Sequence, residues 1–185
     1  MNLRVERKSI ALIVVVAGIA LFAFYQLYSL SIKTKYIEIS DENIRAFIKK
    51  TRLPLIEVKT DAISNGFIKK EFTCYGNASV PKISWSRYDD APCYAVIVFD
   101  PDTRGGTFFH LFELVDAHGN VVKVYYNSAL KKGWFPVCPP KGEVHRYYFL
   151  VIALDTCELE TNNLTEFLTN HSLALGYVIG KFGVK

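Results

Sequence analysis

The chain has 185 residues, 50% of them hydrophobic, which is enough for one domain with a substantial core and a short extension. The formal net charge is only +4, and the basic residues are scattered, without a zinc-finger, recognition-helix or arginine-rich pattern. These properties argue against a nucleic-acid-binding protein, and we expect no nucleic acid among the partners.

The N-terminal region combines a basic tail, residues 1–8, with an uncharged and mostly apolar segment, residues 9–32. About 20 apolar residues in a helix cover the roughly 30 Å hydrocarbon core of a bilayer. Tyr25 and Tyr28 come near one end, where aromatic side chains favour the interface. A cleaved secretory signal would have a shorter apolar region of about 7–15 residues and a small-residue cleavage site. We therefore predict one transmembrane helix over residues 9–32.

Two features indicate that the rest of the chain lies outside the cell. Glycosylation sequons begin at three asparagines, namely Asn77, Asn163 and Asn170. The cysteines are an even set without Cys-x-x-Cys spacing, namely Cys74, Cys93, Cys138 and Cys157. Such a set permits two disulfides and argues against a zinc site. We expect a single-pass protein of the cell membrane with an extracytoplasmic domain.

Residues 33–52 are predicted to form a stalk with an amphipathic helix. Ser40 can cap a helix that starts at the next residue, where an acidic first turn suits the helix dipole. Ile44, Phe47 and Ile48 then lie on one face. Such a helix packs on the following domain or lies near the membrane.

From residue 53 to residue 185 the pattern is typical of a β-protein. The segments CYAVIVFD (93–100) and HRYYFLVIALD (145–155) are nearly continuous apolar runs, and each is expected to be buried on both faces of a sheet. The turn sequence AHGN (117–120) predicts a hairpin between the strands on either side of it.

Near the C-terminus, apolar residues recur at helical spacing, namely Leu164, Phe167, Leu168, Leu173 and Leu175. Many strands followed by one late helix predict a mainly β domain, most simply a sandwich.

The cysteine pairing follows from the two long apolar runs. If these strands are antiparallel neighbours, Cys93 and Cys157 lie together at one end of the sheet, and we predict a disulfide between them. Cys74 and Cys138 then remain as the second candidate pair.

At the opposite end of the same strands, the sequence gathers polar residues. Antiparallel strands would bring Asp100, Asp102, His110 and His145 together, beside a loop (136–140) that its prolines stiffen. Rigid walls with a few convergent polar groups describe a pocket for a small polar ligand. Histidines and an arginine would favour an anion, and the carboxylates would orient the imidazoles. An ordinary polar sheet edge explains the same residues.

The segments DPD (100–102) and CPPKGEVHRY (138–147), with the strand histidine between them, resemble the phosphatidylethanolamine-binding protein family, also called the Raf kinase inhibitor-like family. The resemblance covers residues 53–183 and is strongest to bacterial and archaeal members. It implies an antiparallel β-sandwich with a C-terminal helix and a conical anion pocket at one end. The family pattern implies that this pocket is lined by Asp100, Asp102, His110, Pro139, Pro140, His145 and Tyr147.

The chain also departs from the family pattern. The family usually continues Asp-Pro-Asp with Ala-Pro, whereas here Thr103 and Arg104 follow. Arg104 either adds a cation at the pocket rim or is simply solvated. The Trp that often follows the strand histidine is Leu111 here, and a membrane span is not part of the usual pattern. The identity of the ligand therefore does not transfer from the family.

We expect a binding protein rather than an enzyme, without catalytic residues, metal ligands or cofactor. Catalysis by a nucleophile needs an adjacent base, and Cys138, near His145 in sequence, has no recognisable activating group. The family is known for binding and for regulating kinases and peptidases. The sequence thus favours a membrane-tethered module for phosphate or a phospholipid head group that regulates a partner such as a peptidase. The alternative is an accessory structural subunit of a larger membrane complex, with a vestigial pocket.

Overall fold

The computed structural model describes residues 16–27, 41–159 and 163–185, and the chain divides into two compact units, Met1–Ile37 and Glu38–Lys185. In the first unit, residues 16–27 form helix α1. No helix within these described ranges is long and apolar enough to cross a bilayer. The remainder of the predicted span, residues 9–15 and 28–32, lies outside the described residues, as do the basic tail and Ser40.

The second unit begins with helix α2 (Asp41–Lys50), where the sequence predicts one. Ile44 is buried, and Phe47 and Ile48 are half-buried. Helix α2 contacts a later helix, α3 (Leu164–His171). The amphipathic helix of the predicted stalk therefore packs on the domain.

Within the described residues, nine strands form two sheets. The larger sheet has seven strands in the order β2-β3-β9-β8-β5-β6-β7, and the smaller one pairs β1 with β4. The strands are β1 (Val58–Thr60), β2 (Ile63–Ser64), β3 (Phe67–Ile68), β4 (Ile83–Trp85), β5 (Cys93–Asp100), β6 (Phe108–Asp116), β7 (Val121–Val124), β8 (Val144–Leu154) and β9 (Ser172–Gly183). Only β3 and β9 pair in parallel among them. The predicted mainly β fold is confirmed, and it is largely antiparallel.

Strand β5 lies at the centre of the larger sheet, between β6 and β8. All of its eight residues are buried. Tyr94, Val96 and Val98 join the core cluster that also contains Val58 of β1, and the alternate side chains point to the opposite face. The prediction that this apolar run is buried on both faces is confirmed.

The predicted hairpin is also confirmed, because β6 and β7 pair antiparallel across the AHGN turn. The predicted C-terminal helix is present but shorter than expected. Asn163 caps α3 by accepting a hydrogen bond from the Glu166 amide, and the helix ends at His171. Leu173 and Leu175 do not continue it, since they lie in strand β9.

Long-range pairing explains why the helical spacing misleads after His171. Strand β9 pairs with β8 along almost its whole length, from Ser172 to Gly183. Glycines within this stretch also weaken a helix. Gly176 lies so close to Ile56 that a Cβ would overlap the Ile56 carbonyl oxygen, and only glycine permits this approach.

Both predicted disulfides are confirmed. Cys93 bonds to Cys157, with a Cα–Cα distance of 5.2 Å. Cys74 bonds to Cys138, with a Cα–Cα distance of 5.3 Å. The first joins the start of β5 to the segment after β8, and the second ties the loop before β8 to the segment after β3.

Candidate functional site

A cavity of about 240 Å³ opens at the end of β5. Strand β5 ends here at Asp100, while its antiparallel neighbours β6 and β8 begin here. The lining consists of Asp100, Thr103, Arg104, Phe108, His110, Phe135, Cys138, Pro139, Pro140, Glu143 and His145. The predicted convergence of polar residues at this end of the sheet is therefore present.

Two larger depressions lie elsewhere. One, of about 650 Å³, lies beside Asp155 and His171, and the other, of about 410 Å³, lies between α2 and α3. Neither brings the predicted site residues together. The smaller cavity at the end of β5 is therefore the candidate site.

The centre of the site is a buried pair formed by Asp100 and His145. The Nδ1 atom of His145 donates to Oδ2 of Asp100 at 2.7 Å, and the two side chains are only 5% and 3% exposed. The other carboxylate oxygen, Oδ1, accepts the backbone amide of Asp102 at 2.8 Å. Burial raises the pKa of Asp100, and the hydrogen bond from His145 only partly offsets this. Asp100 thus orients His145, as predicted.

Sequence reasoning missed Glu143, which contacts the same histidine. Its Oε2 accepts from Nε2 of His145 at 3.1 Å, and its Oε1 accepts from Arg104 at 2.5 Å. Hydrogen bonds from His145 and Arg104 lower the pKa of Glu143. The available signal was its position two residues before His145, which places both side chains on one side of the chain.

Both ring nitrogens of His145 contact carboxylates, and this arrangement favours the imidazolium form, which can donate from both. Burial by itself would lower the pKa of His145, but the hydrogen bonds to Asp100 and Glu143 outweigh it and raise the pKa. Arg104, whose role the sequence leaves open, is a rim cation. Its side chain is 87% exposed and reaches Glu143.

The second predicted histidine, His110, has a different charge state. Its Nδ1 atom donates to the carbonyl oxygen of Phe135 at 2.8 Å, and the residue is 3% exposed. Burial lowers the pKa of His110 to about 4. The expectation that both histidines favour an anion by their positive charge therefore does not hold for His110. Its Nε2 is left as an acceptor without a hydrogen-bond partner in the part of the chain that the structure describes.

Asp102 does not orient an imidazole, which corrects the prediction. Its carboxylate accepts from the backbone amide, Nε and Nη2 of Arg146, at 2.8, 2.9 and 2.5 Å. This forked pair lowers the pKa of Asp102. Asp102 also lies outside the cavity lining, because Arg146 and His145 are neighbours on β8 and their side chains point to opposite faces.

Tyr147 supports the site from below rather than lining it. It is fully buried, and its ring meets the His110 ring edge-on with a centroid distance of 5.4 Å. Burial and the nearby Asp100 charge raise the pKa of its hydroxyl.

The proline-containing loop 136–140, which forms one wall of the cavity, is held in place by the segment around Cys74. Cys138 and Pro139 both line the cavity. The Cys74–Cys138 disulfide anchors this loop, and the hydroxyl of Tyr75 donates to the carbonyl of Pro139 at 3.0 Å. Among the described residues, no group of three or more His, Cys, Asp or Glu could hold a metal ion.

The two histidines should titrate separately in an NMR experiment that follows their ring nitrogens. We expect His110 to keep its neutral Nδ1–H form down to about pH 4, while His145 stays an imidazolium above its usual pKa of about 6.5. A single shared transition of both rings near pH 6.5 would contradict this arrangement.

The fold and the site together define a class of protein. It is a mainly β domain with a polar, histidine-containing cavity at the end of its central strands. The sequence profile of the phosphatidylethanolamine-binding protein family matches residues 58–183. This is more than half of the chain, and so the chain belongs to that family. The family resemblance that the DPD and CPPKGEVHRY segments indicate is therefore confirmed.

Relatives and solved structures agree with this assignment. A UPF0098 protein from Methanothermobacter thermautotrophicus is 30% identical over 149 residues, covering 69% of this chain and 98% of the relative. A mycobacterial protein, LppC from Mycobacterium tuberculosis, is named as a lipoprotein and is 31% identical over 98 residues, 47% of this chain and 49% of LppC. The crystal structure of the phosphatidylethanolamine-binding protein homologue CT736 from Chlamydia trachomatis matches with a TM-score of 0.59 and 27% identity, covering 71% of this chain and 99% of CT736.

Proposed function

We propose that the domain is a binding module whose cavity takes a small anion, such as phosphate or the phosphate of a phospholipid head group. The observation that carries this proposal is the pair of cationic donors, Arg104 and His145, that converge on the two oxygens of one carboxylate, that of Glu143. Donors spaced to hold one carboxylate can also hold two oxygens of a phosphate.

The remainder of the lining suits a protonated phosphate. The Nε2 atom of His110 is an acceptor, because Nδ1 already donates to Phe135. A P–OH group can therefore donate to it, while unprotonated oxygens accept from His145 and Arg104. The prolines and the disulfide fix the wall before the ligand arrives, which reduces the ordering cost of binding.

We further propose that the chain is a single-pass membrane protein with this domain outside the cell. Helix α1 exposes large apolar side chains, among them Leu21, Phe22 and Phe24. Two disulfides favour an oxidising compartment, and the lipoprotein name of LppC points the same way. Asn77, Asn163 and Asn170 are exposed, and their glycosylation stays a prediction.

An extracytoplasmic domain would regulate a peptidase or another surface protein rather than a cytosolic kinase. This partner is part of the proposal, as is a role in binding rather than catalysis. One observation favours the alternative, an accessory subunit with a vestigial pocket: Arg104 and His145 are both already paired with carboxylates of the same chain.

Phosphate binding tests the proposal directly. The full chain in a mild detergent is titrated with inorganic phosphate by calorimetry, beside its His145→Asn variant. Asparagine can keep the donor to Asp100 but removes the Nε2 donor. Loss of a charge-assisted hydrogen bond of about 1.5–3 kcal/mol should weaken binding by about tenfold or more.

The matched control is His171→Asn. His171 also pairs with an aspartate, Asp155, at 2.8 Å, but it does not line the cavity. This variant should bind phosphate like the parent. If the parent shows no binding at millimolar phosphate, or if the two variants bind equally well, the anion-pocket proposal fails and the accessory-subunit alternative replaces it.

A further inference from the structure

Glu143 lies where an anionic ligand would be expected to lie. Its carboxylate bridges Nε2 of His145 and the guanidinium of Arg104, and all three side chains line the cavity. In hydrogen-bonding terms it already makes the contacts that a bound phosphate would make. A ligand that enters cannot use these donors while Glu143 keeps them.

The charges of the lining lead to the same conclusion. Asp100 and Glu143 contribute two negative charges, and His145 and Arg104 contribute two positive charges. Asp100 cannot be displaced easily, because it is buried and its other oxygen holds the Asp102 amide. Glu143 is 28% exposed on its side chain. Its departure would leave a net positive cavity.

We propose that Glu143 is an internal competitor, whose carboxylate occupies the anion position of the cavity until a phosphoryl ligand displaces it. This inference rests on the proposed function and identifies Glu143 as the residue that selects among anionic ligands. The residue sets specificity by excluding anions that interact with His145 and Arg104 no better than a carboxylate does.

The local structure allows this exchange without rearranging the sheet. Glu143 precedes β8 and follows Gly142, whose φ is 85°, a conformation that favours glycine. Arg104 lies in the turn after β5, next to Gly105, and its side chain is almost fully exposed. Glu143 can therefore turn outward while Arg104 and the Asp100–His145 pair stay at the cavity.

Selectivity follows from competition within one molecule. A tethered group acts at an effective concentration in the millimolar range or above. A free monocarboxylate such as acetate offers the same two oxygens and gains nothing over Glu143, so it should not bind at millimolar concentration. A phosphate has a further oxygen for His110 and can carry a second negative charge, so it can displace the carboxylate.

The test compares the full chain with its Glu143→Gln variant in calorimetric titrations with inorganic phosphate and with acetate. Glutamine keeps the size of the side chain but removes the charge. We expect phosphate affinity to rise about tenfold, the equivalent of about 1.4 kcal/mol, and acetate binding to become measurable. The control is Glu57→Gln, which makes the same change in net charge at an exposed glutamate outside the cavity. Its phosphate affinity should change less than twofold.

A second measurement needs no variant. In the unaltered chain, phosphate should shift the side-chain carboxyl ¹³C resonance of Glu143 and leave that of Glu57 unmoved. A parallel titration with phosphoethanolamine distinguishes a head group from free phosphate as the source of the phosphoryl group.

The outcomes separate the two proposals. If the unaltered chain binds phosphate but the Glu143→Gln variant binds it no better and still rejects acetate, the competitor role is overturned and the anion pocket stands. If the chain and the variant both fail to bind phosphate, both proposals are overturned. If the variant alone binds phosphate, phosphate does not displace Glu143 from the unaltered chain, and both proposals are overturned.

Discussion

Replacing Cys93 and Cys157 together with alanine should lower the free energy of unfolding by about 4 kcal/mol. The two residues are separated by 64 positions, and a crosslink over a loop of that length removes about this much chain entropy from the unfolded state. The measurement is urea-induced unfolding of the full chain in detergent, followed by tryptophan fluorescence. A loss smaller than about 1 kcal/mol would contradict the expectation.

The other disulfide is the matched control for this experiment. Cys74 and Cys138 are also 64 positions apart, and so the entropy effect of removing them should be about equal. Their position differs, however, because Cys138 lines the cavity. Only the Cys74→Ala, Cys138→Ala variant should also lose phosphate affinity.

Replacing Asp100 with alanine should cost about 3 kcal/mol at pH 7. The change removes the partner of the buried His145 side chain, and truncating one member of a buried, hydrogen-bonded ion pair typically costs 3–5 kcal/mol. The control lies two residues away. Asp102→Ala breaks an ion pair with Arg146, whose side chain is 46% exposed. Such an exposed pair contributes about 1 kcal/mol or less to the free energy of unfolding. Equal losses in the two variants would contradict the buried role of Asp100.

The effect of Asp100 should depend on pH in a defined direction. The pKa of His145 is raised in the folded state, so its contribution is fully present below the unfolded pKa of about 6.5 and is lost as pH rises through the folded value. The difference in unfolding free energy between the parent and Asp100→Ala should therefore be larger at pH 6 than at pH 9. A difference that grows with pH would contradict an imidazolium at this position.

The features that could be predicted from the sequence share one origin, the two long apolar runs. Strand β5 is buried on both faces along its whole length, and strand β8 is buried on both faces from Phe149 to Leu154. The composition of these segments alone indicates that they lie inside the sheet. Once they are taken as antiparallel neighbours, Cys93 and Cys157 meet at one end and Asp100 and His145 at the other. One assumption about pairing thus yields both a disulfide and the centre of the site.

The features that could not be predicted depend on loops or on long-range packing. Arg104 and Glu143 are 39 positions apart and lie in two different turns, where no periodicity indicates that they meet. The low pKa of His110 follows from its burial, and the rings of Trp134 and Phe135 that pack near it come from a loop without strand pattern. Helical spacing after His171 misleads because pairing with β8 outweighs local preference.

The covalent link between Cys74 and Cys138 makes the cavity a product of maturation. The loop that carries Pro139 is positioned by this disulfide. Such a bond forms in oxidising compartments, whereas cysteines are kept reduced in the cytosol. A newly made chain that has not been oxidised has the sequence of the wall but lacks its covalent anchor. Under the proposed function and location, recognition of a ligand begins only after export, and the cavity acquires its final geometry in the compartment where it meets the ligand.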